Sequence, residues 1–195
     1  MIDRTCVILC GGKSSRMGKN KALLPFGQMT LLETLIIKYK QIFEEVYLCC
    51  KEGQKDLYRS LDAPLLLEES EIFSPMFGLQ KALCSLHKSI FVVSVDCPFL
   101  LEEHFVRLKE HFIEEKYDIV YAQTAQKSHF LIGIYTPQIL EALEEKILRE
   151  DFRMSSFVLD QRNLPVIYED ESIFSNLNTP EDYDRALERM KYGSR

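Results

Sequence analysis

Apolar residues along this chain fall into short, near-continuous runs, separated by stretches in which they recur every three or four positions. The first run leads through "VILC" (7–10) and stops at a glycine pair. Further on, "MTLLETLIIKYKQIF" (29–43) sets Leu32, Leu35, Ile36 and Tyr39 at helical spacing, and "EVYLCC" (45–50) returns to a strand pattern, completing one strand–helix–strand unit. The alternation continues with a short helix over 54–61, a strand over 63–69, a helix over 75–87 and the strand "SIFVVSVDC" (89–97). Runs that are apolar at nearly every position predict strands buried on both faces, hence a parallel sheet with helices on either side. The second half predicts a helix over 102–116, strands over 117–124 and 129–136, helices over 137–150 and 153–162, and a last strand over 164–170. A final helix opens in "NTPEDYDRALERM" (178–190): Thr179 can cap, Pro180 suits the first helical position and Asp182 completes a capping-box-like arrangement. No repeat, low-complexity tract or linker interrupts this order, so the expectation is a single three-layer α/β/α domain over residues 1–195 with a mostly parallel sheet.

Composition narrows the possibilities. A chain of 195 residues, 46% of them hydrophobic, is long enough to bury one sizeable core. With 24 basic against 30 acidic residues the formal net charge is −6, which argues against a sequence-independent grip on nucleic acid or on an acidic membrane. The positive charge is local, near the N-terminus. Cys6, Cys10, Cys49, Cys50, Cys84 and Cys97 sit mostly inside apolar runs, and no pair has the two-residue gap of a zinc or thioredoxin-like site. A reduced, cytoplasmic protein is expected. The glycine pair comes too early for a signal peptide to precede it, and no apolar stretch approaches the ~18 residues of a membrane span.

Open parallel sheets bind ligands at the carboxyl ends of their strands, and two of these strand ends carry chemistry. In "LCGGKSSRMGKNK" (9–21), Gly11 and Gly12 let the backbone approach an anion, successive N–H groups can form a concave nest, and Arg16, Lys19 and Lys21 add full charges. This outlines a triphosphate cradle; the alternative is a glycine-rich turn with solvated lysines. "GKS" at 12–14 imitates the end of a P-loop, but Val7 stands where that motif needs its first glycine, and the dinucleotide pattern G-x-G-x-x-G is absent. The second strand end is "FVVSVDCPFL" (91–100), where Asp96 is either a turn aspartate or, facing a phosphate cradle, a magnesium ligand. His87, His104, His111 and His129 are not spaced as a metal cluster, and only His129 enters a predicted strand. No serine or cysteine sits in a nucleophile motif, which suits a phosphate transfer in which one substrate attacks another.

The run Leu9 to Gly18 followed by Lys21 resembles the signature L-A-G-G-x-S-x-R-M-G-x-x-K of nucleotidyltransferases. "VDCPFL" (95–100) resembles their metal-binding aspartate segment, and "NLNTPEDY" (176–183) resembles the closing N-x-N-T-P-E-[DE] of the molybdenum cofactor guanylyltransferase (MobA-like) family. Together the three segments span nearly the whole chain. The resemblance implies a Rossmann-like sheet of the nucleotide-diphospho-sugar transferase type. It implies that Leu9, Cys10, Gly11 and Gly12 meet the nucleotide, that Lys21 and Arg16 meet its phosphates as catalytic groups, and that Asp96 binds magnesium. Cys49 and Glu69 fall at further nucleotide positions, where asparagine and aspartate are usual; Asn178, with Asn176 and His129, would lie near a pterin substrate. Ser74 replaces the first glycine of the family's G-P-L-x-G, and Phe130 follows His129 where proline is common. The implied activity is transfer of GMP from GTP to molybdenum-bound molybdopterin, with transient contact to carrier or acceptor proteins for the cofactor. The alternatives are a CTP- or sugar-phosphate-dependent transferase on the same scaffold and a non-catalytic nucleotide- or cofactor-binding protein.

Overall fold

A computed structural model describes residues 2–12 and 20–192, apart from the side chains of Asp3 and Tyr192. The first strand, β1 (Ile2–Leu9), is followed beyond the glycine loop by a 3-10 turn at Lys21–Leu23 and a small hairpin of β2 (Pro25–Phe26) and β3 (Met29–Thr30). Gly27 turns this hairpin at φ 76°, a left-handed conformation that favours glycine. Helix α1 (Leu31–Lys40) starts at a capping box between Thr30 and Glu33 and buries Leu32, Leu35, Ile36 and Tyr39. Strand β4 (Phe43–Lys51), the single-turn helix α2 (Lys55–Tyr58) and strand β5 (Leu65–Glu68) come next. Helix α3 (Pro75–Leu86) is capped by the Ser74 hydroxyl, which accepts from the Met76 N–H, and leads to β6 (Ile90–Ser94). The second half contains α4 (Glu102–His111), β7 (Ile119–Gln123), β8 (Ser128–Tyr135), α5 (Leu140–Leu148), α6 (Met154–Leu159), β9 (Asn163–Ile167) and α7 (Pro180–Tyr192).

Among the described residues the main sheet has seven strands in the order β5-β4-β1-β6-β8-β7-β9. Every pairing is parallel except those of β8, which runs antiparallel to both β6 and β7. The two-residue period of β1 divides the core. Cys6 and Ile8 point into the layer of α1 and α4, where Tyr39, Phe43, Phe91 and Phe105 pack ring on ring, while Val7 and Leu9 point into the layer of α3, α5 and α6. The three-layer architecture thus follows from strands that are apolar on both faces. Element ends differ from the sequence expectation where turns intervene. The strand expected to reach residue 97 stops at Ser94, because the chain turns there with the Cys97 N–H donating to the Ser94 carbonyl at 3.3 Å. The helix expected to reach 116 stops at His111, with a turn at Ile113 following. No helix among the described residues is long and apolar enough to cross a membrane.

One irregularity shapes the cleft described below. Along β7 the partner of Tyr121 is Gly133 but that of Ala122 is His129, so 130–132 bulge relative to β7 while Ile132 stays paired with Val93 of β6, and the Tyr135 hydroxyl donates to the Phe130 carbonyl across the bulge. Gly133 sits at its root, where an added Cβ would come 2.4 Å from the Val120 carbonyl oxygen and 3.0 Å from the Tyr121 Cα. Both neighbours are backbone and cannot turn aside. Gly133→Ala should therefore cost about 2 kcal/mol or more, which for a chain of this size lowers Tm by roughly 4–8 °C. An unchanged melting curve would mean that β7 and β8 have room to separate.

Candidate active site

The carboxyl ends of β4, β1 and β6 open into a cleft of about 400 Å³. That volume is within the range of sites for nucleotide-sized ligands. At its centre is the end of β1, where Leu9, Cys10, Gly11 and Gly12 all line the cleft. The Cys10 N–H donates to the Cys49 carbonyl at 2.9 Å, so the ladder continues one residue past the strand. Among the described residues a side chain built at Gly12 would meet nothing within 4 Å, and both glycines line the cleft. Asn20 ties the next stretch to the strand end: its Oδ1 accepts from the Ala22 N–H at 3.0 Å, and its Nδ2 donates to the Tyr58 hydroxyl at 2.7 Å, which in turn reaches the Cys10 carbonyl at 3.4 Å.

This capped turn carries Lys21, whose Nζ donates to Asn178 Oδ1 at 3.1 Å and lies 3.6 Å from Asp96 Oδ2. Lys21 comes from the loop after β1, Asp96 from the turn after β6, and Asn178 from the segment leading into α7. The Leu177 N–H donates to the Asp96 carbonyl at 3.0 Å, which splices the last two segments together. Asp182 accepts from the Asn178 and Thr179 N–H groups at 3.2 and 2.9 Å, while its own N–H donates to Thr179 Oγ1, so the expected cap of α7 is also what fixes Asn178. Charge at this corner is partly withdrawn from water, with the Lys21 and Asp96 side chains 13% and 18% exposed.

The opposite side of the cleft is built by the ends of β4 and β5 and the N-terminus of α3. Cys49, Lys51, Glu68, Phe73 and Ser74 line it, and Gly78 lets α3 approach: a Cβ there would be 3.2 Å from Leu9 Cδ2. The Ser74 cap leaves the positive end of the α3 dipole near the cleft. Burial pushes the Cys49 thiol up to about 12, and a hydrogen bond with Cys50, together with burial, raises the Cys10 thiol. These thiols are protonated at neutral pH, which removes them as nucleophiles.

The structure gathers Leu9, Cys10, Gly11 and Gly12 with Lys21, Cys49, Asp96 and Asn178 around one cleft. Arg16 and Lys19 lie outside the described residues. Glu69 does not reach the cleft: β5 alternates, burying Leu66 and Glu68, so Glu69 is exposed over a separate hollow and Glu68 is the acidic lining residue. Asn176 is set beside the cleft rather than in its lining; its Oδ1 accepts from Cys97 Sγ at 2.8 Å. His129 is likewise off the lining, buried with its ring stacked on Phe174 at 4.3 Å. The bulge instead brings Leu131 to the cleft. Sequence reasoning passed over Asn20, Lys51, Tyr58, Glu68 and Phe73. No local signal separates Glu68 from Glu69, whereas a lone lysine ending an apolar run would have flagged Lys51.

A family profile for the MobA-like NTP transferase domain matches residues 6–165. The chain is 33% identical over 190 residues to the molybdenum cofactor guanylyltransferase of Campylobacter jejuni (strain RM1221), covering 97% of this chain and 98% of that protein. Among solved structures it is similar to molybdopterin-guanine dinucleotide biosynthesis protein A from Archaeoglobus fulgidus, with a TM-score of 0.85, 21% identity, and coverage of 96% of this chain and 98% of that one. It also shares its fold with the Rv0371C protein of Mycobacterium tuberculosis in complex with manganese, at a TM-score of 0.65 and 17% identity, covering 96% of this chain and all of that one.

His129 also makes stability sensitive to acid. Burial, and secondarily Lys127, holds its imidazole below the ordinary range, against the opposing pull of Glu171 at 3.7 Å. Its Nε2 has no hydrogen-bond partner among the described residues. Because the unfolded chain takes up this proton first, the contribution is complete above the ordinary histidine value of about 6.5 and is lost as pH falls through the lowered folded value. His104, also held low by burial, adds a second term of the same sign. His129→Gln should flatten the loss of unfolding free energy between about pH 7 and pH 5. An unchanged slope in urea titrations would assign the acid sensitivity to other groups.

Proposed function

Because the chain belongs to the MobA-like NTP transferase family and is a nucleotidyltransferase, we propose that it transfers GMP from GTP to the terminal phosphate of molybdenum-bound molybdopterin. The observation that carries this reading is the meeting of Lys21, Asp96 and Asn178 in one cleft with the backbone of Gly11 and Gly12. An anion-binding loop, a cation and a single carboxylate at adjacent strand ends suit a triphosphate.

The donor set fits a hard divalent cation, with magnesium the proposed one. No group of three or more His, Cys, Asp or Glu side chains among the described residues could hold a metal by itself. Magnesium needs only one or two protein carboxylates when phosphates and water complete its shell, and Asp96 supplies one. When bound there it neutralises phosphate charge. The residues of the chain do the remaining work. Lys21 and the amides of Gly11 and Gly12 hold the triphosphate and stabilise charge developing on the α-phosphate and the leaving pyrophosphate. Arg16 is proposed to join them. An oxygen of the acceptor phosphate attacks the α-phosphorus, the bond from that phosphorus to the oxygen bridging the α- and β-phosphates breaks, and pyrophosphate departs with the electron pair. No protein nucleophile is required, in keeping with the raised thiols of Cys10 and Cys49.

Leu9, Cys10 and Cys49 are proposed to meet the nucleotide, with Glu68 in the role expected of Glu69. Asn178 lies between the cleft and the Asn176–His129 side, where the pterin is proposed to sit. Cofactor carrier and acceptor proteins are the proposed transient partners.

Pyrophosphate release tests the roles. Lys21→Ala should lower turnover at least about a hundredfold, since one preorganised donor on developing charge contributes roughly 2.7 to 4 kcal/mol. Asp96→Asn keeps size but loses charge, and should abolish stimulation by magnesium while leaving the melting temperature close to that of the wild type. Small, equal effects of both substitutions on a folded protein would reduce the loop to a plain turn.

A further inference from the structure

Lys51 is the last residue of β4 and is buried, with 10% of its side chain exposed. A buried ammonium is costly unless its donors are all met. Here they are: Nζ contacts Glu68 Oε1 at 2.5 Å, the Ser70 carbonyl at 2.6 Å and the Ile72 carbonyl at 2.5 Å. Three acceptors saturate an ammonium, so this cation has no donor left for a phosphate. All three acceptors belong to one stretch, the end of β5 and the loop joining it to α3. Glu68 tightens the same stretch by accepting from the Ser70 N–H through its second oxygen at 3.2 Å. Nζ also lies 4.9 Å from the centroid of the Phe73 ring.

Phe73 lines the cleft yet is 50% exposed, an apolar ring held at the cleft mouth rather than in the core. The phosphate-binding groups stand at the ends of β1 and β6, and the sheet order places β5 two strands from β1, about 10 Å away. The 68–74 wall thus stands within reach of the base of a nucleotide whose phosphates sit at Gly11, Gly12 and Lys21.

We propose that Lys51 is a positioning residue that clamps the 68–74 segment against β4, and that the wall so formed receives the nucleobase, with Phe73 as its stacking surface. This rests on the reading of the cleft as a nucleoside triphosphate site. Lys51 touches neither phosphate nor base; it acts through the loop. Its loss should therefore weaken binding of the nucleoside part and leave the phosphate part intact.

Calorimetric binding of GTP and of inorganic tripolyphosphate, each with magnesium, to wild type, Lys51→Met and Phe73→Ala separates these parts. Both variants should weaken GTP at least about tenfold, the scale of losing one base–aromatic stack, and leave tripolyphosphate within about twofold. In turnover, KM for the nucleotide should rise with kcat little changed, and Lys51→Arg should restore part of the affinity. Lys51→Met leaves Glu68 buried without its counterion; should it not fold, Phe73→Ala decides alone, because its ring is half in solvent. Equal weakening of both ligands, or of neither, would overturn the proposal. A wild type that binds CTP more tightly than GTP would overturn only the guanylyl reading, and the same comparison would then be made with CTP. A wild type that binds nucleotides no more tightly than tripolyphosphate would overturn the wall itself.

Discussion

β1 is hydrogen-bonded along both edges, to β4 and to β6, and buried on both faces, so its register fixes where three strand ends stop. Leu9 pairs with Cys49 on one side and with Ser94 on the other. A slip of one residue would exchange its inward sets, moving Cys6 and Ile8 out of the aromatic layer and Val7 and Leu9 out of the α3 layer. The pairing of this single strand on both edges thus sets the relative positions of Gly11, Lys51 and Asp96. These residues are far apart in sequence and share one cleft because the strands that carry them are hydrogen-bonded in this register.

The two sides of the cleft use charge differently. Around Asp96 the charged groups line the cleft itself: Lys21 donates to an amide oxygen and lies, at longer range, beside a carboxylate. Around Lys51 every donor is met by the protein and the cation is closed off. The first arrangement suits groups that exchange partners during a reaction, the second a fixed wall. Both depend on short local devices, the Asn20 and Asp182 caps on one side and the Ser74 cap on the other.

Much of this was legible in the sequence, for identifiable reasons. The strands are apolar at nearly every position and the helices keep a three-to-four period, so all seven strands of the main sheet, its mostly parallel character and the Thr179–Asp182 cap could be read directly. The glycine pair and Asp96 stood out because they follow strands. What could not be read was placement decided by tertiary contacts. Glu68 and Glu69 are neighbours of the same chemistry, and only the pleat of β5 decides which faces the cleft. That the His129 ring is buried on Phe174 beside the cleft, with Leu131 in the lining, depends on contacts between segments far apart in the chain. The role of Lys51 could not be read either, because its three acceptors, at the end of β5 and in the loop beyond it, are brought to it only by the fold.

The central claim is that the cleft joins a guanylyl group to a pterin phosphate, and its most direct test is pyrophosphate release measured over a matrix of nucleotides and acceptors. The account predicts release that needs GTP, magnesium and molybdenum-bound molybdopterin together, with CTP and ATP giving little. Faster release with CTP, or with a sugar phosphate as acceptor, would contradict it, and so would the absence of release from every pair.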